Sequence, residues 1–312
     1  GRGRNQGATT MADTSRSFLD PAVLSRLMAL PLNARKSMLG NVSGKHRSPV
    51  RGSSLEFAQY RKYVPGDDTR RLDWRTWGRS DRFYIKEFEA DTNLRLCLLI
   101  DTSGSMGFTP AGSTTSRFDY AKKLAGTLGY LAAQQGDAVG LWSLAEKPIE
   151  IPAKRGASHL GLVLDQMGSI EPVGDTTLLT ALHDAAERIR QRALVIVFSD
   201  LFVPPAELKS ALQHLRFRKH DVAIFHLLDQ QEIDFDFDRP ARFIDLEGGE
   251  ALLADPSLIR RNYREAVTNY LHEIDDLIRT TGIDYQRVKL SEKYDDVLAK
   301  FLLSRVQKKG GR

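Results

Sequence analysis

The chain carries a single cysteine in 312 residues, Cys97. An intramolecular disulfide is therefore excluded, and so is a zinc site built from paired cysteines. Cys97 lies within the run Leu96–Ile100, which makes it a core side chain. Long apolar runs are also missing. Leu96–Ile100 and Ala193–Phe198 fall far short of the ~20 residues that a membrane-spanning helix needs. No apolar core of a signal peptide stands near the N-terminus, so the chain is expected in the cytoplasm. Residues 1–10 precede Met11 and read as a tag remnant or disordered extension. Neither a phosphate loop nor a G-x-G-x-x-G fingerprint occurs, which argues against a nucleotide-binding enzyme.

What is present is the composition of a soluble globular protein, 41% hydrophobic and 27% charged. The formal net charge is +5. Much of the excess precedes residue 90, in Arg35, Lys36, Lys45, Arg47 and Arg51, then Arg70, Arg71, Arg75, Arg79 and Arg82. A basic face of this kind attracts acidic proteins, nucleic acid or anionic lipid, or is simply solvated.

Three parts are expected along the chain: a tag-like or disordered stretch over 1–19, a small module over 20–92 and an α/β domain over 93–312. In the module, Asp20–Leu32 has helical apolar spacing with Pro21 at the first position. Extended segments at Leu55–Tyr63 and Phe83–Glu89 flank a turn at Pro65-Gly66-Asp67. Beyond residue 93, the largely apolar runs Leu94–Ile100, Ala138–Leu144, Ala193–Ser199 and Val222–Leu228 read as strands, most of them buried, and Ile283–Lys289 reads as a further strand. Helical patterns alternate with them near Phe118–Gln135, Ser158–Met167, Leu178–Gln191, Pro205–Leu215, Ser257–Thr281 and Tyr294–Arg305. Pro148–Ile151 and Arg242–Asp245 read as short edge strands, and Asp229–Asp238 as an exposed acidic loop or partner contact. Alternation of this kind predicts an α/β fold with a doubly wound, mostly parallel sheet, Rossmann-like, beside a small N-terminal β-rich module.

Open α/β sheets place ligand sites beyond the carboxyl ends of their strands. Three polar clusters fall at or near such ends: Asp101-Thr102-Ser103-Gly104-Ser105, Gly174-Asp175-Thr176-Thr177 and Ser199-Asp200. They offer carboxylate and hydroxyl oxygens only, a set that suits a hard six-coordinate cation such as Mg²⁺ or Mn²⁺. With few charged ligands, such an ion keeps an electrophilic open position that a partner's carboxylate can fill. His159, His183 and His226 are scattered without ligand spacing and read as core or surface residues.

The first cluster resembles the D-x-S-x-S motif of von Willebrand factor A domains, and the other two resemble that family's second and third elements, in family order. The resemblance implies a metal-ion-dependent adhesion site. Ser103, Ser105 and Thr176 would then coordinate Mg²⁺, Mn²⁺ or Ca²⁺ through hydroxyls, with Asp101 and Asp200 acting directly or through water. Glu56-Phe57, Arg61 to Asp68 and Arg70-Arg71-Leu72-Asp73-Trp74 resemble the signature of one bacterial branch, the domain of unknown function fifty-eight. With Arg79 and Phe83–Glu89, the two resemblances span nearly the whole chain. That branch is associated with MoxR-type AAA+ ATPases, which implies a noncatalytic adaptor whose partner offers an Asp or Glu carboxylate. From the residues alone, Arg61, Asp67, Asp68, Arg70, Asp73 and Trp74 read as a salt-bridged joint between modules, with Trp77 packed into it, or as a relay or docking surface beside the metal site.

Two rival functions remain on the sequence. A serine hydrolase would use Ser103-Gly104-Ser105-Met106-Gly107 as a loose nucleophile elbow, with Ser105, Asp200 and His226 in order. Position 103 is serine where that motif has glycine, and a loop follows the elbow where a helix is required. A nucleic-acid binder would use the basic N-terminal residues, but no base-reading motif or aromatic-basic platform is visible. Nucleic acid is not expected as the partner.

Overall fold

The computed structural model describes residues 16–32, 55–62, 84–90, 94–145, 147–174, 178–234, 241–243, 252–254 and 256–310. Helix α1 (Pro21–Leu27) is followed by an antiparallel pair, β1 (Leu55–Lys62) and β2 (Tyr84–Ala90). Then come β3 (Arg95–Asp101), α2 (Arg117–Gln134), β4 (Ala138–Leu144), β5 (Glu150–Lys154), α3 (Ala157–Ser169) and α4 (Leu178–Arg188). They are followed by β6 (Leu194–Ser199), α5 (Pro205–Phe217), β7 (Asp221–Leu228) and the short α6 (Gln230–Asp234). A second small antiparallel pair, β8 (Ala241–Phe243) and β9 (Leu252–Ala254), precedes α7 (Pro256–Thr281), β10 (Asp284–Lys289) and α8 (Tyr294–Gly310).

The chain divides into two units, residues 37–93 in one and residues 1–36 with 94–312 in the other. In the first, β1 and β2 pair from Leu55↔Ala90 to Lys62↔Tyr84, with an irregularity between Phe57 and Gln59. Of the signature segment, residues 63–83 with Trp74 and Trp77 lie outside the described residues, and so does the proposed joint.

In the larger unit the sheet order is β10–β7–β6–β3–β4–β5. Every neighbouring pair is parallel except β4 with β5. The fold is thus α/β, a six-stranded, mostly parallel sheet flanked by helices. Strands with both faces covered must be apolar at successive positions, and Leu96 to Ile100 and Leu194 to Phe198 are each at most 1% exposed. Cys97, Leu99, Val195 and Val197 join Leu182 of α4, Leu212 of α5 and Ile274 of α7 in one core layer. On the opposite face, Phe225 of β7 meets Phe301 of α8 edge-on, with ring centroids 4.9 Å apart. Gly140 in β4 has a steric reason: a Cβ there would stand 2.7 Å from Ala153 N and Ile151 O of β5.

Three segments differ from the sequence expectation. Arg242–Asp245 was expected as an edge strand, but β8 pairs with β9 in its own sheet. The acidic stretch from Asp229 begins with helix α6, because the Asp229 carboxylate accepts the Gln231 N–H at 2.9 Å and so caps the turn. The helix expected over Asp20–Leu32 ends at Leu27. Its segment packs on α2 and α8: Phe18 fits over Gly126, Arg26 pairs with Asp295 and Asp296, and Gln135 holds the Leu30 carbonyl and the Leu32 N–H. No helix among the described residues is long and apolar enough to cross a membrane.

Candidate functional site

Strands β3 and β6 are neighbours, and the chain leaves them in opposite directions across the sheet, β3 continuing to β4 on one side and β6 to β7 on the other. Their carboxyl ends therefore flank a topological switch point, where loops diverge and leave a crevice. Asp101 closes β3 and Ser199-Asp200 closes β6, so two of the three motifs meet there by strand pairing alone.

Local hydrogen bonds set the shape of the site. One Asp101 oxygen accepts the Ser103 N–H at 2.9 Å, turning the chain back. The other accepts the Ser199 hydroxyl at 2.6 Å. Ser199 Oγ in turn accepts the Leu201 N–H at 2.9 Å. Residues 104–107 form a 3₁₀ turn that brings Ser105 Oγ to 3.1 Å from Ser103 Oγ. Leu201 holds φ +56, a left-handed conformation that costs a non-glycine residue free energy. Tyr270 fixes it by donating to the Leu201 carbonyl. The loop that leads to the second motif is tied to the first, Gly104 N–H to the Gly174 carbonyl at 3.0 Å and Val173 N–H to the Thr102 carbonyl at 2.9 Å. Thr176 itself lies outside the described residues.

Asp101 and Asp200 are each 1% exposed. Burial, and then the negative charge of Asp200, push the Asp101 carboxyl up to about 6. Burial also raises Asp200, opposed by the Arg117 guanidinium. Arg117 is fully buried. Its Nη1 donates to Asp200 Oδ2 at 2.6 Å and to the Ser105 carbonyl at 3.1 Å, and its Nη2 donates to Glu232. Asp200 and Glu232 pair with the one guanidinium and Asp101 has none of its own, so the cluster of three carboxylates when ionised holds two more negative charges than positive. A buried surplus of that size is costly unless a cation or protons offset it.

The donor set fits a hard divalent ion. Mg²⁺ ligands at roughly 2.1 Å in an octahedron stand about 3 Å apart along an edge, and the two serine hydroxyls are 3.1 Å apart. Among the described residues no group of three or more His, Cys, Asp or Glu is disposed to hold a metal. An ion here would therefore depend on hydroxyl ligands.

His226 does not complete a triad with Ser105. Its Nε2 bonds the Asp200 carbonyl at 2.9 Å and its Nδ1 the Tyr285 hydroxyl at 2.7 Å, and burial lowers its pKa to about 3. Both ring nitrogens are thus occupied away from the serine. Beside the site, a cavity of about 500 Å³ opens between α5, α6 and α7, lined by Phe202, Val203, Ile233, Tyr263 and Val267, with Glu232 on its wall. Phe202, on the cavity lining, and Val173, whose N–H bonds Thr102, are exposed apolar residues.

Arg117 and Glu232 were missed in the sequence because they join the site across long separations. One local signal pointed to Arg117. A cation in the first turn of a helix opposes the helix dipole, and Arg117 occupies that position after the Ser116 cap.

An uncharacterized protein of Mycobacterium tuberculosis is 25% identical over 292 residues, covering 92% of this chain and 90% of its own. The uncharacterized protein YeaD of Bacillus subtilis is 29% identical over 102 residues, covering 33% of this chain and 23% of its own. Among solved structures, an aerotolerance-related membrane protein of Bacteroides fragilis aligns at 16% identity and TM-score 0.46, over 69% of this chain and 99% of its own. BatB of Bacteroides thetaiotaomicron aligns at 18% and 0.44 over the same shares. The family model described as protein of unknown function DUF58 matches residues 59–273, and the chain belongs to that family.

Proposed function

We propose that this protein is a noncatalytic, metal-dependent protein-binding adaptor with a von Willebrand factor A-type domain, working with a MoxR-type AAA+ ATPase in the cytoplasm. The observation that carries the reading is the convergence of Asp101, Ser103, Ser105 and Asp200 at one switch point, all oxygen donors, with uncompensated negative charge. Thr176 completes the ligand set on the resemblance of its motif. Mg²⁺, Mn²⁺ or Ca²⁺ bound there supplies an open coordination position for a partner's Asp or Glu. The chain's own residues do the rest. Ser199 and the Ser103 N–H fix the Asp101 carboxylate, Arg117 fixes Asp200, and Phe202 and Val173 offer apolar contact beside the ion. The ATPase partner rests on the family resemblance alone.

The test is capture of a purified MoxR-type AAA+ ATPase, in Mg²⁺ and in EDTA, with wild type and with Asp101→Ala. Capture that needs Mg²⁺ and is lost in the variant supports the reading. Capture indifferent to both refutes it.

A further inference from the structure

We infer that Arg117 is a resident cation that sets the divalent-ion affinity of the site, its charge shared between Asp200 inside and Glu232 at the edge. The inference rests on the metal-site reading above and goes beyond it, since Arg117 is no part of the motif.

The geometry is specific. The guanidinium lies wholly out of water, and its Nε finds no hydrogen-bond partner among the described residues. It therefore depends on its two carboxylates for compensation. Nη1 holds Asp200 Oδ2, an oxygen that an incoming ion would also attract. Two cations sharing one carboxylate repel each other, strongly so in a low-dielectric site. Glu232 acts in the opposite sense. It pairs with the other end of the guanidinium and is anchored by the Asp229 N–H at 3.1 Å. Its charge offsets Arg117 and so makes room for the ion. Glu232 belongs to α6 and also lines the apolar cavity, so occupation of that cavity can reach the ion through Arg117.

A purely structural Arg117 predicts that removing either end of its ion pair loosens the site. A resident cation predicts opposite signs. Arg117→Gln removes a competing charge and should tighten Mg²⁺ and Mn²⁺ binding by about tenfold or more. Glu232→Gln leaves Arg117 under-compensated and should weaken it by about fivefold or more. In the Arg117→Gln background, Glu232→Gln should change little, because the coupling runs through the guanidinium.

The experiment is calorimetric titration of the EDTA-stripped full chain and these variants with Mg²⁺ and Mn²⁺, beside Asp101→Ala as the ligand-loss control. Thermal melting without metal reports whether each variant folds. Opposite shifts support the inference, as does binding by Arg117→Gln where wild type binds nothing. Shifts of the same sign, or none, overturn it while the metal site stands. Absence of binding in every protein overturns both. If Arg117→Gln does not fold even with Mg²⁺, Glu232→Gln decides the matter, and an unchanged affinity there overturns the inference.

Discussion

Arg117 Nη1 and Asp200 Oδ2 are 2.6 Å apart, with side chains 0% and 2% exposed. The pair joins the first turn of α2 to the end of β6. A buried ion pair contributes little net stability, because desolvation offsets the attraction, but it is costly to break from one side. It therefore positions Asp200 more than it stabilises the fold.

Asp200→Asn should show this. The amide keeps the shape but not the charge, and Arg117 keeps Glu232. In EDTA the loss should be about 1–3 kcal/mol by urea denaturation. The rise in melting temperature that Mg²⁺ gives the wild type should vanish, since ligand-linked stabilisation needs the site.

Acid should weaken the fold through His220. Its Nδ1 accepts the Ala193 N–H at 3.3 Å, which requires the neutral ring, and burial, aided by Arg218, lowers its pKa to about 4 from the usual 6.5. The unfolded chain therefore binds more protons than the native one between those values. The contribution is complete above pH 6.5 and is lost as pH falls toward 4, on the order of 1–2 kcal/mol after solvent screening. His220→Asn, whose oxygen can accept the same N–H, should flatten that part of the stability profile.

Gly126→Ala distinguishes a docked N-terminal segment from a loose one. Alanine favours a helix over glycine by about 1 kcal/mol. Here its Cβ would stand 2.5 Å from the Phe18 ring, so Phe18 must move. The expected outcome is net destabilisation, with faster amide exchange over residues 16–32 and an unchanged sheet. A stabilised variant would mean that Phe18 is not seated on α2.

Arg305 of α8 bridges Asp284 of β10 and Asp221 of β7, and is itself fully buried. Arg305→Met would leave two largely buried carboxylates short of their cation. A loss of about 3–5 kcal/mol is expected, read as a lower urea midpoint with little change in slope.

Much of the architecture was legible because it is written locally. Leu94–Ile100 and Val222–Leu228 are apolar except at Arg95 and His226 since both faces of the sheet are covered, and the observed strands start and stop within a residue of those runs. The helix read over Ser257–Thr281 matches α7 because its apolar stripe recurs at helical spacing. Asp101, Ser103, Ser105 and Asp200 were found for a similar reason, standing at strand ends where polar residues interrupt apolar runs. The Arg117–Glu232 pair has no such trace, for its partners lie 115 residues apart and no period links them. The acidic run after Leu228 reads by composition as an exposed loop or partner contact. Its first turn is helical because of the Asp229 cap, a signal that was present in the sequence.

The most direct test of the central claim is Mn²⁺ binding followed by electron paramagnetic resonance, in which free hexaaqua Mn²⁺ gives a signal that bound ion loses. Titrated against the EDTA-stripped full chain, Mn²⁺ should disappear from the free signal with one ion per chain, and Mg²⁺ should release it. Asp101→Ala and Ser103→Ala should leave the ion free while melting as folded proteins. Loss of free signal that persists in both variants, or none in the wild type, would contradict a divalent-ion site at the ends of β3 and β6.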